Sequence, residues 1–163
     1  MFQASWSEAS AGRGQFLMAL DIRHCSGLLG LAGQDLAVGV LCSIDKIGDE
    51  LDVVDDDLTV WAKSRKQMFF AVDVATAPSL ATLATWAAAG AYRPAAKNTF
   101  LASADYQLVA YAHAHNHTVV THEKSSPDSL SNIKMPDACS AMGVTCIDPF
   151  AMLRNERARF VLP

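Results

Sequence analysis

The chain has 163 residues, a length typical of one domain, and its 51% hydrophobic and 18% charged residues are the composition of a globular protein. A net charge of −4 provides no global positive field for nucleic acid, so any contact with RNA is expected to be local. The first residues lack the basic start and apolar run of a signal peptide, and no apolar stretch reaches the roughly 18 residues of a membrane span. We therefore expect a cytoplasmic protein that does not enter a membrane.

The amino-terminal part of the chain is predicted to contain an irregular arm and then the first strands. Residues 1–15 are rich in Ser, Ala and Gly without a period, whereas residues 16–163 are expected to form a single domain. A buried strand is predicted at residues 16–20, and a second one at residues 36–41. Ser43 is expected to cap the helix that follows.

Strands and helices are predicted to alternate through the rest of the chain. Helices are expected to begin near Asp57, Ser79, Pro94, Ser103 and Pro149, with strands at residues 68–72, 118–121 and 144–147. This alternation predicts an α/β fold with a mostly parallel sheet covered by helices. Such a sheet binds ligands at the carboxyl ends of its strands.

Two acidic residues are predicted to meet at that edge. Asp105 lies in the first turn of the helix capped by Ser103, and Glu123 follows the next predicted strand. Two carboxylates in a partly buried place raise each other's pKa unless a cation offsets their charge, and a divalent metal ion would do so. The alternative is that Asp105 only complements the helix dipole and that Glu123 is an exposed loop acid.

A third candidate comes from the helix after Ser43. Its buried face is expected to contain Ile44, Ile47 and Leu51, which places Glu50 at the margin of that face and Asp49 nearly opposite to it. Glu50 is therefore the better candidate for a metal ligand.

Several of these segments resemble the PIN-domain family of nucleases. Residues 105–112 read D-x-x-L-x-A-x-A, and the strand behind them ends in Thr121-His122-Glu123, as in the T-x-D or T-x-E ending of that family. Residues 133–139 and 143–150, and the helical segments around residues 43–51 and 61–63, are similar to a bacterial and archaeal branch of the PIN-like superfamily.

This resemblance implies a three-layer α/β/α sandwich that hydrolyses RNA with one or two Mg²⁺ or Mn²⁺ ions, as the VapC toxins of toxin–antitoxin pairs do. It further implies a small antitoxin protein as partner, a homodimer, and Glu50, Asp105 and Glu123 as metal ligands. PIN domains also carry an aspartate after their first strand. Either Asp21 takes this role, although D-x-N or D-x-S is absent there, or the leading strand is missing and the site is impaired.

Other metal-binding and nucleophilic residue types are assigned to structural roles. His113, His115 and His117 alternate, so on a helix they would point about 200° apart, and they are expected at a surface helix end. The cysteines lack metal-site spacing and are expected to be reduced core residues: Cys25, Cys42, Cys139 and Cys146.

The leading functional hypothesis is a metal-dependent endoribonuclease acting as a toxin. The rival is a catalytically impaired PIN-like module that binds RNA or a protein partner through the same edge. A phosphatase or receiver-type domain fits less well, because no D-x-D motif follows the first predicted strand.

Overall fold

A computed structural model describes residues 16–19, 41–51 and 57–155 of the chain. The described residues contain five strands: β1 (Phe16–Met18), β2 (Leu41–Ile44), β3 (Phe69–Phe70), β4 (Thr118–Val120) and β5 (Cys146–Ile147). They form one sheet in the order β3-β2-β1-β4-β5, and every neighbouring pair is parallel.

Helices flank this sheet and give a three-layer α/β/α fold, as the sequence predicted. In the described part of the chain they are α1 (Asp45–Leu51), α2 (Asp57–Lys63), α3 (Ala77–Ala89), α4 (Pro94–Ala102), α5 (Ala104–His115), α6 (Met135–Met142) and α7 (Pro149–Asn155). Short 3₁₀ turns lie at Lys66–Met68 and Val74–Thr76. None of the helices that the structure describes is long and apolar enough to cross a membrane.

The strand order places a topological switch point beside β1. From β1 the chain adds β2 and β3 on one side, and it later returns to add β4 and β5 on the other side. Phe16 pairs with Leu41 of β2 and with Thr118 of β4, so β1 is central. In sheets of this type the crevice at the switch point, outside the carboxyl ends of the strands, is where ligands bind.

The core forms where α5 packs against the sheet. Leu108 and Val109 of α5 are fully buried, as are Leu17 of β1 and Val119 of β4. This helix contacts β2 and β4 and also the helices α3, α4 and α6. Because so many elements pack on α5, this helix is central to the core.

Several predicted helix ends agree with the structure, but α3 begins at Ala77, so the predicted start at Ser79 is wrong. Ser103 caps α5, Asn116 ends it in the left-handed region, and Gly143 ends α6 with φ 68°. Pro94 is the first residue of α4. The predicted strand at residues 16–20 is confirmed for Phe16–Met18.

The predicted role of Ser43 is wrong. Ser43 is a buried residue of β2, which extends to Ile44 before α1 begins at Asp45. Ser43 pairs with Phe69 of β3, so pairing on the sheet keeps this backbone extended where a helix cap was expected. The predicted arm, Asp21 and Cys25 lie outside the described residues.

Candidate metal site at the carboxyl edge of the sheet

A cavity of about 220 Å³ opens at the switch point between β1 and β4. Ala19 follows β1 and Thr121 follows β4, so the ends of both strands reach the cavity. The three predicted acids all line this cavity, which we call the acid cavity. Its lining residues are Ala19, Glu50, Ser103, Ala104, Asp105, Thr121, Glu123 and Met135.

Asp105 reaches the acid cavity because α5 begins at this edge of the sheet. The Ser103 hydroxyl donates to the Phe100 carbonyl at 2.7 Å and accepts from the Tyr106 amide at 3.4 Å, which fixes the first turn of α5. Asp105 is half-buried there, while the next turn of the helix buries Leu108 completely. The predicted position at the edge of the buried face is confirmed.

Glu123 is held from three sides. Its amide donates to the Thr121 hydroxyl at 3.1 Å. Its carboxylate accepts from Lys134 Nζ through Oε1 and from the Met135 amide through Oε2, each at 2.9 Å. The alternative of an exposed loop acid is therefore wrong, because the carboxylate ties β4 to the start of α6.

Glu50 and Asp49 face different cavities. Both residues are exposed near the end of α1, and Glu50 lines the acid cavity. Asp49 instead lines a cavity together with Lys63, Lys66 and Phe69. Glu50 rather than Asp49 therefore lies with Asp105 and Glu123, and its choice as a metal ligand stays a prediction.

The carboxylates of the acid cavity do not form a complete cluster of metal ligands within the described residues. Among residues 16–19, 41–51 and 57–155, no three His, Cys, Asp or Glu side chains lie together closely enough to hold one ion. Mg²⁺ commonly keeps several waters and takes only one or two protein carboxylates, so binding of such an ion does not require three acids in one cluster. Ala19 lines the cavity two residues before Asp21, whose own position lies outside the described residues.

Two thiols contact each other, and the sequence reasoning missed this contact. Cys139 of α6 and Cys146 of β5 share a hydrogen bond, which lowers the pKa of Cys146 and, with burial, raises the pKa of Cys139. The charge of Asp105 also raises the pKa of Cys139. The charge of Glu123 raises the pKa of Cys146 and so acts against the effect of the hydrogen bond. The signal for this contact was Gly143, since a helix that ends there directs the next strand back along α6.

The histidines lie at the opposite edge of the sheet, near the end of α5. The rings of His115 and His117 stack with centroids 5.9 Å apart, and His115 Nε2 lies 3.2 Å from Asp73 Oδ2. They approach because His117 lies beyond the helix end, so the helical spacing used in the sequence argument does not apply to it. Burial, and secondarily His115, lowers the pKa of His117. These residues do not contribute to the acid cavity.

Comparison with known protein families gives a match over most of the chain. The profile of a domain of unknown function, DUF4411, matches residues 24–160, which is most of the chain. The chain belongs to the DUF4411 family. Within this DUF4411 chain the matched residues include Glu50, Asp105 and Glu123, whereas β1 and Asp21 precede the match. No curated protein matches the chain.

Proposed function

We propose that this DUF4411 protein is a metal-dependent endoribonuclease whose Mg²⁺ or Mn²⁺ binds in the acid cavity. The proposal is supported chiefly by the place where three acidic residues of the chain come together. Glu50, Asp105 and Glu123 come from separate parts of the chain and line one cavity at the switch point of a parallel sheet. The resemblance to PIN domains supports the same three residues.

No three of the described acids lie close enough together to hold one ion as they stand, so at least one of them would have to move for all three to bind it. Glu123 is oriented by Lys134 and the Met135 amide, as ligating carboxylates usually are by a second layer of hydrogen bonds. Asp105 is fixed by the capped start of α5, whereas Glu50 is exposed and can adjust to the ion. A bound Mg²⁺ or Mn²⁺ would lower the pKa of a coordinated water and neutralise charge on the phosphate.

Asp21 is the proposed fourth carboxylate. β1 ends at Met18 in the centre of the sheet, and Ala19 lies in the wall of the acid cavity. Asp21 follows Ala19 by two residues in the sequence, and each residue spans at most about 3.6 Å, so the chain is long enough for Asp21 to be near the cavity.

Cleavage of a fluorescently labelled single-stranded RNA in Mn²⁺ tests the proposal. Asp105→Asn and Asp21→Ala should each reduce the rate of cleavage by orders of magnitude. Without these carboxylates the water that attacks the phosphate would no longer be held in position. Asp49→Asn is the matched control, since it removes the same charge from a neighbouring cavity. Cleavage that survives Asp105→Asn, or falls equally in Asp49→Asn, would contradict the site. Cleavage that depends on Asp105 but not on Asp21 would retain the nuclease and reject the fourth ligand.

The second candidate is a non-catalytic module that binds RNA or a protein at the same edge. It is favoured by the state of Glu123, whose two carboxylate oxygens already accept hydrogen bonds from the protein. Under this alternative the chain binds RNA in anisotropy measurements, but no divalent ion produces cleavage. A toxin role, an antitoxin partner and a homodimer remain part of the leading proposal through the PIN resemblance, and a cytoplasmic location remains part of it as well.

A further inference from the structure

The positively charged side chain of Lys134 forms an ion pair with Glu123, one of the three acids of the acid cavity. Its Nζ lies 2.9 Å from Glu123 Oε1, and the two side chains are 35% and 24% exposed. This ion pair is therefore only partly hydrated, and it is formed by a proposed ligand for the metal ion. A lysine ammonium and a divalent cation compete for the same carboxylate oxygen.

The main chain of Lys134 is anchored independently of this ion pair. Lys134 is the residue before α6, and its carbonyl accepts from the amides of Asp137 and Ala138 at 3.0 and 3.1 Å. The Asp137 carboxylate in turn accepts from the Ser125 hydroxyl and the Ser126 amide, which closes the loop between Glu123 and α6. The ammonium can thus leave Glu123 while its backbone stays at the edge of the acid cavity.

We propose that Lys134 is the internal counter-ion of the acid cavity, that a divalent cation displaces it, and that the displaced ammonium binds an RNA phosphate. This inference rests on the proposed nuclease function. The chain has no global positive field, because its net charge is −4. A cavity lined by three acids would repel phosphate, so a lysine beside the metal supplies the local charge that RNA requires.

The sign of a change in metal affinity tests the first part. In calorimetric titrations with Mn²⁺, Lys134→Met should bind about two- to fivefold more tightly than the wild type, as expected on removing a partly exposed ion pair. Lys134→Arg retains the charge and should not tighten binding. Lys124→Met is the matched control, because Lys124 is an exposed lysine of the same loop. Thermal melts of each variant verify that it is folded.

Four calorimetric outcomes decide between the possibilities. Tighter binding in Lys134→Met, or binding seen only in that variant, supports the counter-ion. If wild-type protein binds Mn²⁺ and Lys134→Met binds equally or more weakly, Lys134 merely orients Glu123, and the inference is overturned while the metal site stands. If neither protein binds Mn²⁺, the inference and the proposed metal site fail together.

RNA binding tests the second part. RNA affinity is measured by the fluorescence anisotropy of a labelled oligouridine in buffer that contains Ca²⁺. Lys134→Met should bind this RNA more weakly than Lys124→Met does. The slope of log affinity against log salt should also fall by about 0.7, the value for one lost phosphate contact on a single strand. Unchanged affinity and slope would reject the phosphate contact.

Discussion

At the scale of single residues, Cys146 differs from the other described thiols. The hydrogen bond from Cys139 lowers the pKa of Cys146, whereas burial raises the pKa of Cys42 to about 12. Cys146 is half-buried and Cys42 is buried, so charge state and access both favour reaction at Cys146. A lowered pKa means that more thiolate is present at neutral pH, and the thiolate is the form that reacts.

We predict that iodoacetamide alkylates Cys146 before Cys42 and Cys139 at pH 7.5, as peptide mapping by mass spectrometry would show. In Cys139→Ala the hydrogen-bond donor is lost, so the pH midpoint of Cys146 alkylation should rise. The smaller side chain also opens space around Cys146. Greater access would raise the rate of alkylation without raising its pH midpoint. An unchanged or lower midpoint would therefore show that access, and not the hydrogen bond, governs the reaction.

At the scale of elements, the start of α5 is the feature that positions Asp105. Replacing Ser103 by Ala removes both the cap on the Tyr106 amide and the hydrogen bond to the Phe100 carbonyl. We expect Ser103→Ala to lower the free energy of unfolding by about 1 kcal/mol in urea denaturation, the usual cost of a lost cap. Ser140→Ala, an exposed change inside α6, should have little effect. Equal losses in the two variants would contradict the importance of the cap.

Local chemistry made some elements predictable and left others unpredictable. Ser103, Asn116 and Gly143 determine helix ends through their own side chains or through the left-handed backbone, so sequence alone located these ends. The end of β2 depends instead on pairing with β3, a contact between distant segments that no local pattern contains. The bonds from Lys134 and Met135 to Glu123 also arise from folding, because they depend on how the intervening loop closes.

At the scale of the whole molecule, strand order determines where the chemistry is concentrated. The sheet places β1 between β2 and β4, so the helix after β2, the start of α5 and the end of β4 all meet at one crevice. The sequence predicted a parallel sheet and the edge at which acids would gather. It did not predict that His115 would pair with Asp73 and stack on His117 at the opposite edge.

Mn²⁺ relaxation enhancement in NMR spectra of the ¹⁵N-labelled protein tests the acid cavity most directly, since a paramagnetic ion broadens the amide signals nearest to it. With substoichiometric Mn²⁺, we predict that the amides of Asp105, Thr121 and Glu123 broaden first, and that Asp105→Asn weakens the effect by more than about tenfold, as loss of a ligand should. The amides of His115 and His117, at the other edge of the sheet, should then remain sharp. Broadening centred on those histidines, or broadening that is unchanged in Asp105→Asn, would contradict a metal site in the acid cavity.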